Sequence, residues 1–441
     1  MERYISHDTQ LFRLSNSPTS FCSSTLQLFN SSTFQLFNFS TLFCIIAFMS
    51  LKRNIPLFYL HRFLNEFLLI APILIPFYQF NRFGIWAFYT AQAIYAFTVL
   101  LLEVPSGYLA DVIGRRKTLI IGACFLPTGL LLYGLGNSLW VFWLAEFMLA
   151  VGNSMRSGSD SALLYDSFIN LKCEDAYQGT EGRGHQFARI GTAVASVAGG
   201  LLAARSIYLP FWINVPIALA ILPVSLMMIE PARHAPKSKR PLHEILVIAG
   251  NALKNHALRP FLLFFGLLGS VCILSLWAFF IYYQSIRISI AWFGVLFAVY
   301  QTMGAIGAAR SQALSARLGG RFVVTLSLFL APILILLGGI QSICMLPLIM
   351  LHPLLWNLAV PVLFNQINLK TASRIRATVL SLANMGLSFA YVLTAPLFGL
   401  AAERIPLRLA LWGLAAFFTI FSIPLLASMK REWKTEPGAK G

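Results

Sequence analysis

Pro105-Ser-Gly-Tyr-Leu-Ala-Asp-Val-Ile-Gly-Arg-Arg-Lys117 stands between two long apolar runs, residues 84–107 and 117–136. Asp111, Gly114 and the bases Arg115, Arg116 and Lys117 fall within seven residues. Such a charged knot between greasy segments suits the polar edge of a bilayer, since each flanking run has the roughly 20 apolar residues a membrane helix needs. Working outward, the same reading gives twelve candidate spans. They cover roughly 55–80, 84–107, 117–136, 138–160, 186–204 and 207–229, then 260–284, 290–312, 321–340, 342–367, 377–401 and 406–428. Proline recurs inside them, as membrane helices tolerate.

Composition agrees. The chain is 58% hydrophobic and 11% charged, against about 25% charged in soluble domains. A water-soluble enzyme is therefore excluded. So is a nucleic-acid binder, because the net charge of +17 is spread as punctuation between apolar runs and not gathered on a water-facing element. The six cysteines form no C-x-x-C pair, so no zinc or redox motif is expected. No P-loop, H-E-x-x-H or G-x-S-x-G context is present, and no cofactor or metal is expected.

Orientation follows from Lys and Arg. With residue 49 in the cytoplasm and twelve alternating spans, 24 of the 33 Lys/Arg fall inside. Arg82, Arg205, Arg287, Arg404 and Arg408 fall outside. This asymmetry predicts both termini in the cytoplasm. Residues 1–48 repeat a Thr-centred pattern at Thr25, Thr33 and Thr41, and are expected to be a non-native or disordered extension ahead of a true start at Met49. The longest polar stretch, 230–259, separates an N-terminal six-helix bundle (49–229) from a C-terminal one (260–428), with a cytoplasmic tail at 429–441. Leu242, Ile245, Leu246, Ala249 and Leu253 give the linker an apolar stripe suited to the membrane surface. The expected fold is an all-α membrane protein, twelve transmembrane helices in two six-helix bundles around a midplane site.

The segment quoted first resembles the signature of the major facilitator superfamily, G-x-L-A-D-x-x-G-R-(K/R)-(R/K). Gly107, Leu109, Ala110, Asp111, Gly114, Arg115, Arg116 and Lys117 match it, and the resemblance in architecture covers residues 49–430. It implies a transporter whose signature loop latches the cytoplasmic side when the molecule faces outward. Asp111 is expected to accept from a helix N-terminus across the two halves, Gly107 to let two helix ends approach, and Arg115 to pair with Asp160 or Asp166. The plainer alternative is that the three bases only enforce topology. In the second half, Gln312 and Ala316 replace the signature Gly and Asp while Gly319 and Arg321 remain, so no latch is expected there. The antiporter pattern of the fifth span is reduced to a small-residue line, Gly191, Ala195, Gly199 and Ala203.

Charges at membrane depth are functional candidates by default. Glu66 in the first span and Glu146 in the fourth could each exchange a proton near neutrality when water is excluded, or contact a cationic cargo. Alternatively they form structural pairs, Glu66 with Arg62 and Glu146 with Arg156. His352 and Asn384 are further candidates for the cavity lining, with packing between helices as the alternative. The expected function is secondary, proton-coupled transport of a small solute, with export of drug-like or amphipathic compounds ahead of import of a polar metabolite. A non-transporting receptor or scaffold on the same fold is the competing class. Short outer loops suggest a bacterial inner membrane. The expected partners are the solute, the bilayer and protons, with no nucleic acid and a monomer sufficient.

Overall fold

The computed structural model describes residues 51–232, 241–372 and 375–433. The proposed extension 1–48 and most of the tail lie outside the described residues. Seventeen α-helices carry the fold among the described residues. The first six-helix half contains α1 (Asn54–Glu66), α2 (Leu74–Phe80), α3 (Ile85–Ile113), α4 (Arg115–Leu135), α5 (Leu139–Arg156), α6 (Ser159–Leu171), α7 (Tyr177–Ala203), α8 (Leu209–Leu219) and α9 (Ile221–Met227). The linker contributes α10 (Pro241–Lys254). The second half contains α11 (Arg259–Ser285), α12 (Ile290–Leu318), α13 (Gly320–Thr325), α14 (Leu330–Gly339), α15 (Leu346–Leu369), α16 (Arg376–Arg404) and α17 (Leu407–Glu432). Short pieces join into spans, α1 with α2, α8 with α9, and α13 with α14. No strand occurs among the described residues.

Among the described residues, eleven helical stretches are long and apolar enough to cross a membrane. The fourth position, α5, falls outside that set because Glu146, Asn153 and Arg156 dilute its apolar run. It still packs as a span between α3 and α4.

Three boundaries differ from expectation. The first span is interrupted between Glu66 and Ala71, since Pro72 and Pro76 remove backbone donors and disfavour helix just before them. Asn214 of α8 repairs the gap, accepting from the Leu69 N–H at 2.7 Å and donating to the Phe67 carbonyl at 2.9 Å. The fourth helix stops at Arg156, turns through Gly158 at φ 75°, and continues as α6. Only glycine takes that backbone without strain. The fifth span begins at Tyr177, nine residues before the apolar run at 186, because a helix continues through polar residues once they are solvated.

The halves repeat. Arg82 and Arg287 both adopt φ near 60°, and Gly114 and Gly319 both adopt positive φ. Each pair shares one spacing, as do Gln79 and Gln284, which are 205 residues apart and hydrogen-bonded to each other at 2.6 Å. Equivalent residues that meet in this way lie on the pseudo-two-fold axis between the halves.

The halves join through α3 against α16 and α7 against α12. We call the end carrying the α3–α4 turn and α10 the linker end, and the opposite one the far end. At the far end the approach is close. A Cβ on Gly200 would meet the Ala291 carbonyl oxygen at 2.9 Å and the Gly294 nitrogen at 2.9 Å. The small-residue line of α7 packs on the first span, with Gly191 against the Phe63 carbonyl and Gly199 against that of Leu69. Side chains there would force the helices apart.

Candidate functional site

The broken α5–α6 helix turns its polar residues toward α1 and α7. Arg62 of α1 lies between Asp160 (Nε to Oδ2, 2.9 Å) and Glu181 (Nη2 to Oε1, 2.9 Å). The first is a contact of charges and not an aligned hydrogen bond. Ser161 ties the group together, accepting from Arg62 at 2.7 Å and donating to Glu181 at 2.8 Å. Asp160 also accepts from the Ser161 N–H at 2.7 Å. One turn along α1, Glu66 reaches Arg156 Nη2 at 3.2 Å, and the same nitrogen donates to Asn153 at 2.7 Å. Arg62, Glu66, Asn153, Arg156 and Asp160, with Arg189 and His185 of α7, line a cavity of about 250 Å³.

Both structural pairs expected from spacing are therefore replaced. Arg62 faces two carboxylates on other helices in place of Glu66 on its own. Arg156 pairs with Glu66, because ten helical residues put it roughly 15 Å from Glu146. Glu181 is the member that sequence reading missed. It sits in the polar start of α7, which carries no apolar signal.

Glu146 is set apart from this network. It is 2% exposed, and its Oε1 accepts from Tyr133 Oη at 2.6 Å and Gln92 Nε2 at 2.9 Å. Tyr78 and Tyr133 share a further hydroxyl contact at 3.0 Å. No described cation pairs with Glu146, and no described donor reaches its Oε2. Gln92 and the two tyrosines went unnoticed in the sequence because they lie inside ordinary aromatic-rich spans.

The signature loop is organised within the first half. Arg115 Nε pairs with Asp166 Oδ2 at 3.2 Å, and with Asp111 more loosely at 3.8 Å. Asp160, the other expected partner, belongs to the Arg62 network. Gly114 at φ 116° turns the chain sharply into α4. The exposed N-terminus of α4 is taken by Glu230, which accepts from the Arg115 N–H at 2.9 Å and the Arg116 N–H at 2.7 Å. A carboxylate there satisfies orphan donors and complements the helix dipole. Gly107 departs from expectation: among the described residues, nothing lies within 4 Å of where its Cβ would be. Lys117 is exposed on the first turn of α4. The helix start expected opposite Asp111 abuts residues 373–374, outside the described residues.

His352 is fully buried between α11, α12 and α15, with Nδ1 2.9 Å from Tyr300 Oη and its ring edge-on to Phe279. It packs the second half and lines no described cavity. Asn384 is exposed on α16. Glu103 accepts from Ser381 of α16 at 3.3 Å, across the halves. At the far end, Glu403 of α16 accepts from the Trp86 N–H at 2.7 Å and so caps the start of α3.

Two six-helix repeats meeting along two helix pairs, with ion pairs buried at span depth, define a polytopic membrane protein of the repeat-built type. The Major Facilitator Superfamily model matches residues 42–387, and the chain belongs to that superfamily, one of transporters and not of enzymes. It is 31% identical over 146 residues to the vacuolar membrane amino acid uptake transporter fnx2 of Schizosaccharomyces pombe, covering 33% of this chain and 24% of fnx2. It is 29% identical over 153 residues to an uncharacterised MFS-type transporter of Mycobacterium tuberculosis, covering 34% and 21%. The match thus spans a quarter or less of these relatives' length. Among solved structures, the nucleoside transporter NupG superposes with TM-score 0.71 at 14% identity over 87% of this chain and 100% of NupG. A POT family transporter in complex with 5-aminolevulinic acid gives 0.71 at 11% identity, over 87% and 97%. At such identities the likeness shows the fold.

Proposed function

We propose that the chain is a secondary active transporter that moves a small polar or charged solute by alternating access, coupled to protons, with the linker end in the cytoplasm. The polar cavity between α1, α5 and α7 carries this reading. Its Glu66–Arg156 bridge and Arg189 offer both signs of charge to one small solute, and a bridge between two helices can open as the solute enters. The likeness to an amino acid transporter of the same superfamily fits a zwitterionic cargo. The contacts that shut the far end, Gln79 with Gln284 and Glu403 with Trp86, join separate halves. They can part without unfolding either half, as rocking requires.

Glu146 is the proposed proton carrier. Its Oε1 is held by two donors, while Oε2 is left to take the proton. Export of amphipathic compounds is the second reading, favoured by a largely apolar cavity between α12 and α15. Substrate-dependent proton flux in proteoliposomes, with amino acids and amphipathic dyes as trial solutes and the gradient collapsed as control, tests the proposal. Transport that is unaffected by pH, and of wild-type rate, in both Glu66→Gln and Glu146→Gln would remove these acids from the mechanism. Absence of any solute flux would favour a receptor or scaffold.

A further inference from the structure

Between Glu244 and Glu403 the sequence contains neither Asp nor Glu. Almost the whole second half is therefore without an acid, although it carries arginines. Two of its described bases near the linker end find neutral partners. Lys370 meets the Glu432 carbonyl and the Phe261 ring, and Arg321 donates to the Lys430 carbonyl at 3.3 Å. Arg310 and Arg317 have no such partner. Among the described residues, neither makes a hydrogen bond, ion pair or ring contact.

These two arginines stand two turns apart on one side of α12. Both face a cavity of about 320 Å³, whose remaining walls include Ile306, Leu314, Leu354 and Leu358. Gly307 brings α15 close, since a Cβ there would meet the Leu354 carbonyl oxygen at 2.6 Å. Arg310 lies eight residues before the end of α12, about 12 Å inward from the linker end. Arg310 and Arg317 are both exposed on α12 beside these apolar walls, and neither has a counter-charge among the described residues. A topology signal alone needs bases in the headgroup layer. It does not require two on one face of a cavity.

We propose that the Arg310–Arg317 cavity binds an anion, a carboxylate or phosphate group carried on an apolar body. Two guanidinium forks present parallel donors to the oxygens, and the aliphatic walls cover the body. The site lies in the second half, separate from the Glu66–Arg156 cavity, and does not depend on what the first half carries. The same chemistry belongs to a soluble organic anion and to the headgroup of an anionic lipid.

The test uses the full chain in nanodiscs of neutral phosphatidylcholine, titrated with phenyl phosphate and followed by thermal unfolding and calorimetry. Phenyl phosphate is expected to raise Tm saturably, while phenethylammonium does not. Arg310→Gln and Arg317→Gln are each expected to weaken binding about tenfold, the loss of one charge-assisted contact. Lys254→Gln, outside the cavity, is expected to leave binding unchanged. In a second arm, discs containing phosphatidylglycerol replace the soluble probe. If Tm rises there in wild type but not in the arginine variants, and phenyl phosphate has no effect in neutral discs, the occupant is a lipid headgroup. The proposal is overturned if phenethylammonium stabilises the wild-type chain as well as phenyl phosphate does. That comparison needs no variant. It is equally overturned if neither arm separates wild type from the folded arginine variants.

Discussion

Arg62 holds two carboxylates from two other helices, and its own side chain is 11% exposed. Removing one partner of a buried ion pair leaves charge without solvent. Arg62→Met is expected to destabilise the folded chain by about 3–5 kcal/mol, measured by reversible unfolding in detergent. Adding Asp160→Leu should recover part of that loss, and full additivity of the two would refute the pairing. Glu146 is a different kind of residue, buried with neutral donors only. Glu146→Gln keeps the size and one acceptor but cannot bind and release a proton. The expected phenotype is solute exchange without net proton movement. Unchanged proton flux in that variant would assign coupling elsewhere. Both acids at depth, Glu66 and Glu146, were legible in the sequence because any charge in an apolar run stands out. Their partners were not, since Arg156 reaches Glu66, and Gln92 and Tyr133 reach Glu146, through space from other helices.

Helices that stop where a pattern would continue carry much of the site. α5 ends at Arg156, and the turn through Gly158 brings Asp160 toward Arg62. α4 begins at Gly114 under a carboxylate from Glu230, the residue after the sixth span. Gly114→Ala forces a Cβ into a left-handed backbone and should cost roughly 1–2 kcal/mol. Glu230→Ala exposes two orphan donors and should cost about 1 kcal/mol. Hydrogen exchange confined to the start of α4 would report the second change, and exchange spread over the whole half would speak against a local cap. The signature motif was readable as a motif, and its bases as an edge marker. That its helix start is capped by the first residue of the linker was not readable, because the spacing of Glu230 from Arg115 says nothing about proximity. Asn214 repairs the first span for the same reason unseen: a lone polar residue in an apolar run does not announce which backbone it will meet.

Across the molecule, one spacing of 205 residues relates Gln79 to Gln284, and these two touch on the axis between the halves. Cysteines at both positions, joined by a short cleavable bis-thiol linker, should hold the far end shut. Transport is expected to stop on cross-linking and return on cleavage. Persistence of full transport in the linked protein would rule out opening at that end. The all-helical membrane class and the acid-free stretch between Glu244 and Glu403 were determined by the sequence alone, because hydropathy and charge act residue by residue against the bilayer. The tertiary structure alone decided which arginine meets which carboxylate, which carboxyl is left with neutral neighbours, and which two bases face one cavity. Those outcomes depend on the rotation and breaks of helices packed side by side, and rotation about a helix axis is set by the neighbouring surfaces and not by the residue's own place in the chain.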